Sequence, residues 1–219
     1  MFPYFLMNDK TKTVAVVVAH PDDETLWAGG AILGNPGKDY FIASLCRKND
    51  PDRAPKFNKA LHALGADGVM GNMDDGPEQT SLADQAVEQA ILQLLPARHY
   101  DLVLTHSIYG EYTRHRRHEE IGRAMISLWA SGRLSTNEFW AFAYSDGGRA
   151  HLPVADISAP VYNKLRPGLW EKKYNIITQI YGFDENSWEA RTTPRDEAFH
   201  QFFTASEALE WRNGGNTTS

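Results

Sequence analysis

The chain has 219 residues, of which 42% are hydrophobic and 23% charged, enough apolar material for one sizeable core and far from compositions that stay disordered. Its 22 lysines and arginines stand against 28 aspartates and glutamates, a formal charge of −6 that argues against nucleic acid or an anionic membrane as the main partner. Cys46 is the only cysteine, which excludes an intramolecular disulfide and suits a reducing cytoplasm.

In chain order, Phe2 to Met7 is apolar but has no preceding basic region and is too short for a signal-peptide core or a membrane span. Thr13 to Ala19 is almost continuously apolar and rich in valine, the pattern of a strand buried on both faces. Further strands are predicted at Tyr40–Leu45, Gly68–Met70, Tyr100–Thr105 and Glu138–Tyr144. Between them, Thr25–Leu33, Lys56–Leu64, Leu82–Leu95 and Glu119–Trp129 place apolar residues three and four apart, as helices do. The alternation predicts an α/β fold: a Rossmann-like, three-layer, mostly parallel open sheet with its site beyond the carboxyl ends of the strands. After Ser145 the alternation weakens. Pro153, Pro160 and Pro167 punctuate an irregular stretch before a helix from Trp170 to about Tyr181, which reads as a C-terminal decoration. The expected organisation is a single domain over residues 1–212 and a flexible tail over 213–219.

Residues 19 to 24 read Ala-His-Pro-Asp-Asp-Glu, so an imidazole and three carboxylates crowd the point where a buried strand ends. Carboxylates this close raise one another's pKa unless a cation lies among them, and a divalent metal is the simplest such cation. The plainer reading is a helix start, with acids favoured by the macrodipole and Asp22 or Asp23 as a cap. That accounts for the acids but not for His20 or Pro21. A second segment follows the fourth predicted strand, where His115 and His118 stand three apart in a helical first turn and share a face. In an open α/β sheet the ends of the first and fourth predicted strands can border one crevice. His62, His99, His106, His151 and His200 have no convergent spacing, and Cys46 reads as a small buried hydrophobe. Trp27, Tyr109 and Tyr112 are near enough to the two segments to wall a crevice.

The Ala-His-Pro-Asp-Asp-Glu run and the His-x-x-His at 115–118 resemble the two signature elements of the PIG-L or LmbE-like zinc-dependent deacetylases, which remove acetyl groups from N-acetylglucosaminyl and related amides. Weaker similarity runs through Arg53, Ala60-Leu61, Ala63-Leu64-Gly65 and Asp75-Gly76, so that it covers roughly residues 12 to 145. The resemblance implies that His20, Asp23 and His118 hold the metal, that Asp22 is the general base, and that His115 stabilises the oxyanion and assists the leaving amine. It also implies substrate contacts for Arg53 and Asp75. Two imidazoles and one carboxylate leave zinc an open position, as a catalytic site requires. Where many relatives carry Pro-Asp between the histidines, this chain has Arg116 and Arg117. A cation beside His115 lowers its pKa unless a carboxylate compensates, and Glu111, Asp74, Asp75 and Glu119 are the candidates. The relatives' Arg-x-x-Glu is here Arg53-Ala54-Pro55-Lys56.

The expected activity is metal-dependent removal of an acetyl group from a small N-acetylated amino sugar or glycoconjugate, with zinc as the metal and Fe(II) as a compatible alternative. Two rivals stand beside it: a non-haem iron oxygenase, since two histidines and a carboxylate also form a facial triad, and a non-catalytic sugar-binding module of the same fold. The sequence allows a homo-oligomer without deciding one.

Overall fold

The first strand, β1 (Thr13–Val18), is buried on both faces because its side chains feed two separate cores. Val14, Val16 and Val18 point into one, while Ala15, Val17 and the following Ala19 point into the other. In the computed structural model, which describes residues 11–214, β1 lies inside a seven-stranded sheet. The apolar run Phe2–Met7 and most of the expected tail lie outside the described residues. β2 (Asp39–Ser44) and β3 (Asp67–Met70) extend the sheet on one side of β1. β5 (Leu102–Thr105) and β7 (Phe139–Phe142) extend it on the other, and all five strands are parallel.

Helices cover both faces, as the predicted three-layer α/β architecture requires. α1 (Asp23–Leu33), α2 (Arg53–Leu64) and the π-helical turn Ile176–Ile180 that follows α5 (Pro167–Asn175) pack Leu26, Phe57, Ile177 and Tyr181 around the Val14 face. α3 (Asp84–Leu94), α4 (Arg116–Ala130) and α7 (Ala205–Arg212) pack Val87, Ile91, Ile121, Met125 and Trp211 around the other.

Two expectations need correction. The strand expected over Tyr100–Thr105 is interrupted at Asp101, whose carboxylate accepts Thr13 N at 2.8 Å and Thr13 Oγ1 at 3.1 Å. Tyr100 therefore belongs to a separate short pair, β4 (His99–Tyr100) beside β6 (Ser135–Thr136). The second correction concerns the region after Ser145, read as irregular decoration. It does hold a short antiparallel pair, β8 (Tyr144–Ser145) and β9 (Val154–Ala155). It also completes the main sheet, with β11 (Asp196–Phe202) antiparallel to β7 and β10 (Val161–Lys164) antiparallel to β11. β11 tolerates a buried acid because Glu197 is fully partnered: it accepts Gly30 N and Ala31 N at 2.7 Å each and Lys173 Nζ at 2.7 Å. α1 can approach β10 only because residue 30 is glycine, since a Cβ there would lie 2.5 Å from Leu165 Cδ2. The predicted helix at Trp170 starts earlier, at Pro167, where a missing N–H costs nothing.

From β1 the chain turns outward to β2 and β3, then returns to β5 on the opposite flank. The carboxyl ends of β1 and β5 thus flank the point where strand order reverses, where an open α/β sheet leaves a crevice.

Candidate metal centre and catalytic cleft

The turn from β1 into α1 is built around backbone strain. Asp22 has φ 122°, a conformation that side chains other than glycine seldom adopt, and three hydrogen bonds hold it there. Its N–H donates to Glu24 Oε2 at 3.0 Å, and its carbonyl accepts Thr25 N at 3.0 Å and Leu26 N at 2.8 Å. Glu24, fully buried, is held in turn by Thr25 Oγ1 and by the Tyr181 hydroxyl. Asp22 occupies the N-cap position but makes no side-chain capping bond, so capping alone does not explain these acids. The Asp23 carboxylate is pinned at both oxygens: Oδ1 accepts Trp27 Nε1 at 3.0 Å, and Oδ2 accepts His20 N at 2.8 Å.

The second half of the site comes from the end of β5 and the start of α4. Gly122 lets α4 settle on that end, since a Cβ there would lie 2.7 Å from His106 O. This seats His118 fully buried against His20 and Asp23. Three donor atoms converge: His20 Nδ1 to Asp23 Oδ2 is 3.1 Å, His118 Nε2 to Asp23 Oδ2 is 3.3 Å, and His118 Nε2 to His20 Nδ1 is 3.4 Å. A tetrahedral ion with metal–ligand bonds of about 2.1 Å needs donors about 3.4 Å apart, so the spacing suits a divalent cation. The His20, His118 and Asp23 side chains also belong to overlapping clusters with His115, His106 and Cys46–Asp75. His106 Nε2 already accepts Ala19 N at 2.9 Å, which occupies the lone pair a metal would need.

Glu111 organises the far side. Fully buried, it accepts from His118 Nδ1 at 2.5 Å, His106 Nδ1 at 2.9 Å and Ser107 N at 2.9 Å. Burial alone would raise its pKa, but the two imidazoles hold it down to about 2. With Nδ1 of His118 donating to Glu111, Nε2 is left as the acceptor that faces His20 and Asp23. Asp23 follows the same pattern: burial opposes its charge, yet His118 and His20 keep it well below the ordinary carboxylate range. Asp22 goes the other way, raised by burial and by the neighbouring Asp23 charge despite Arg53.

None of the carboxylates expected to compensate His115 reaches it. Glu111 serves His118 and His106, Asp75 is 3.1 Å from His20 Nε2, Asp74 pairs with Arg117 and Glu119 with Arg123. His115 stacks on His118 with centroids 4.2 Å apart, and its Nδ1 is buried without a partner. Burial, together with the neighbouring His118 and His20 imidazoles, pushes its pKa down to about 2. Nor does Arg117 act as a cation beside His115. Its guanidinium is buried and turned away, donating to Asp74 O, Asp74 Oδ2, Thr80 O and Glu120 Oε2. It fastens the loop after β3 to α4.

A cleft of about 180 Å³ opens over the donor atoms. Arg53 lines it, with NH1 3.0 Å from Asp22 Oδ2 and its guanidinium 4.4 Å over the Phe183 ring. Tyr112 is also on the wall. Three other expected contacts are placed differently. Trp27 is fully buried behind Asp23, because its indole N–H is spent on that carboxylate. Tyr109 is 64% exposed outside the cleft and packs edge-on against Trp211 at 5.8 Å. Asp75 sits behind His20, tied to Arg47 at 3.0 Å. Arg47, Trp188 and Glu189 line the cleft without any mark in the sequence, since they stand in segments without periodicity. Glu111 is legible as an acid near the histidines, but not as their shared acceptor.

Solved structures share this architecture. N,N'-diacetylchitobiose deacetylase from Pyrococcus horikoshii superposes with a TM-score of 0.68 at 17% identity, over 95% of this chain and 89% of that one. A deacetylase of the teicoplanin biosynthesis pathway gives 0.57 at 13% identity, over 82% and 90%. The fold is that of the PIG-L or LmbE-like deacetylases. GalB, the 4-carboxy-2-hydroxymuconate hydratase from Pseudomonas putida KT2440, has it too, with a TM-score of 0.61 at 18% identity over 88% of this chain and 97% of that one. An uncharacterized protein of Acanthamoeba polyphaga mimivirus is 23% identical over 127 residues, 52% of this chain. The chain spans 56% of the length of that curated relative. No protein-family model matches the chain. Among the described residues, no helix is long and apolar enough to cross a membrane.

Proposed function

We propose that the protein is a metal-dependent hydrolase that releases acetate from an N-acetylated amino sugar or glycoconjugate, with zinc as the preferred metal. The observation that carries this reading is the triangle of His20 Nδ1, Asp23 Oδ2 and His118 Nε2, with edges of 3.1 to 3.4 Å, facing a cleft that also contains Asp22. These three residues would hold the ion, and when bound it supplies Lewis acidity and lowers the pKa of water.

The chain's own residues account for the remaining steps. Asp22, raised in pKa by burial and by Asp23, is a stronger base than an ordinary carboxylate, takes a proton from water in the cleft and returns it to the amine nitrogen as the C–N bond breaks. Asp22 Oδ2 pairs with Arg53 NH1 while Asp23 Oδ2 faces His20 and His118, so the neighbouring acids do separate jobs. Arg53, 3.0 Å from Asp22 Oδ2, keeps that carboxylate oriented and opposes the rise in its pKa. His115 lines the cleft as a neutral imidazole and would offer a ring N–H to a developing oxyanion. Glu111 orients His118 from behind through its hydrogen bond, and the Asp75 carboxylate lies 3.1 Å from His20 Nε2.

GalB has the same fold and catalyses a hydration, so the fold leaves the reaction open and the site chemistry must decide. The decisive experiment measures metal content and acetate release with N-acetylglucosamine and its oligomers, in the wild-type protein and in His118→Ala. About one ion per chain and acetate release are expected from the wild type, and loss of both from the variant, with its far-UV spectrum kept. Acetate release that persists without metal would overturn the reading.

A further inference from the structure

The C-terminal region contributes one wall of the cleft. The short helix α6 (Trp188–Thr192), fixed at its start by Ser187 Oγ accepting Ala190 N at 3.1 Å, brings Trp188 and Glu189 to the cleft that Arg53 and Arg47 also line. Trp188 packs against Tyr112 with centroids 4.8 Å apart, and 37% of it stays exposed. Glu189 also lines the cleft, and its carboxylate has no hydrogen bond or ion pair among the described residues. No other tryptophan lines the cleft among the described residues; Trp27 is walled off behind Asp23.

We propose that Trp188 and Glu189 form the subsite that selects a pyranose ring, with the Trp188 indole against the C–H face of the sugar and Glu189 accepting a ring hydroxyl. Sugar rings present apolar C–H faces edged by hydroxyl donors, and this pairing of a large amphipathic aromatic with a free carboxylate meets both. Arg53 and Arg47, which also line the cleft, can only donate, and each already pairs with a carboxylate, Arg53 with Asp22 and Arg47 with Asp75, so accepting the ring's hydroxyl donors falls to Glu189. This subsite rests on the proposed deacetylase reading and is the part of the cleft that recognises the ring.

The test compares kcat/KM for N-acetylglucosamine with that for N-acetylethanolamine, an acetamide without a ring, in wild type, Trp188→Ala, Trp188→Phe and Glu189→Gln. Trp188→Ala is expected to lower the ratio of ring to acyclic substrate roughly tenfold, through KM, with Trp188→Phe restoring much of it and Glu189→Gln lowering it severalfold. Equal losses on both substrates would overturn the proposal, because they would mean that Trp188 merely props Tyr112. An unchanged ratio would overturn it as well. Saturation-transfer NMR with glucosamine, the product, reads the same subsite without catalysis. Disappearance of the ring-proton saturation signal in Trp188→Ala supports the subsite even if no acetate is released, whereas a signal that both variants leave at wild-type strength would sink it.

Discussion

The strain at Asp22 predicts a separation between stability and activity. At φ 122° a residue with a Cβ carries about 1–3 kcal/mol of backbone strain, which glycine relieves. Glycine also gives the unfolded chain more freedom, at a cost of roughly 0.5–1 kcal/mol. Comparing Asp22→Gly with Asp22→Ala cancels the loss of the carboxylate and of its partly exposed pair with Arg53, side chains 13% and 20% accessible, common to both variants. Asp22→Gly should therefore be more stable than Asp22→Ala by about 0.5–2 kcal/mol, or about 1–8 °C in Tm for a chain of this size. This reverses the usual order of the two residues. Both variants, and Asp22→Asn, should lose roughly two to four orders of magnitude in kcat while keeping the metal. The assay is thermal unfolding by circular dichroism beside acetate release and metal analysis of the same preparations. A more stable Asp22→Ala would refute the strain argument, and an active Asp22→Asn would give the proton to another group.

Glu111→Gln should weaken metal affinity roughly 10–100-fold, because one carboxylate oxygen now takes both imidazole N–H groups; competition with a chelator of known affinity reads it, and an unchanged affinity removes Glu111 from the support of His118. Arg117→Ala should cost about 3–5 kcal/mol, since Glu120 stays buried without its partner; denaturant unfolding that shows under about 1 kcal/mol contradicts the buried network. Asp146 holds the loop before His115 by accepting Thr113 N at 2.8 Å and Thr113 Oγ1 at 2.7 Å. Burial opposes its charge, but these bonds keep its folded pKa below the ordinary value, so its contribution is present above the unfolded pKa of about 3.9 and is lost as pH falls through the folded value. Asp146→Asn should therefore destabilise the protein at neutral pH and flatten the fall in Tm below about pH 4; a parallel acid profile in both proteins would exclude Asp146 from it.

Whatever depends on local pattern could be read from the chain alone. The valine run of β1, the alternation of short apolar runs with helical spacings, and the two histidine-bearing segments at strand ends are all local, and they place His20, Asp22, Asp23, His115 and His118 around one crevice. Features that depend on contacts between distant segments had to wait for the folded molecule. β11 is a strand because it pairs with β7 and β10, and Glu197 on it meets the backbone of α1 at a separation of 167 residues, none of which shows in a stretch without apolar periodicity. Trp27 and Tyr109 sit close to the motifs in sequence, but a side chain's direction is set by what packs behind it, and only one of the three aromatic candidates, Tyr112, faces the cleft. Arg117 follows the same rule: it stands two positions from His115, yet its partners are Asp74, Thr80 and Glu120 because a buried guanidinium goes where acceptors are. The wall formed by Trp188 and Glu189 is invisible in the sequence for the same physical reason: a five-residue helix capped by one serine has too little periodicity to read, and its position is fixed only by what it packs against.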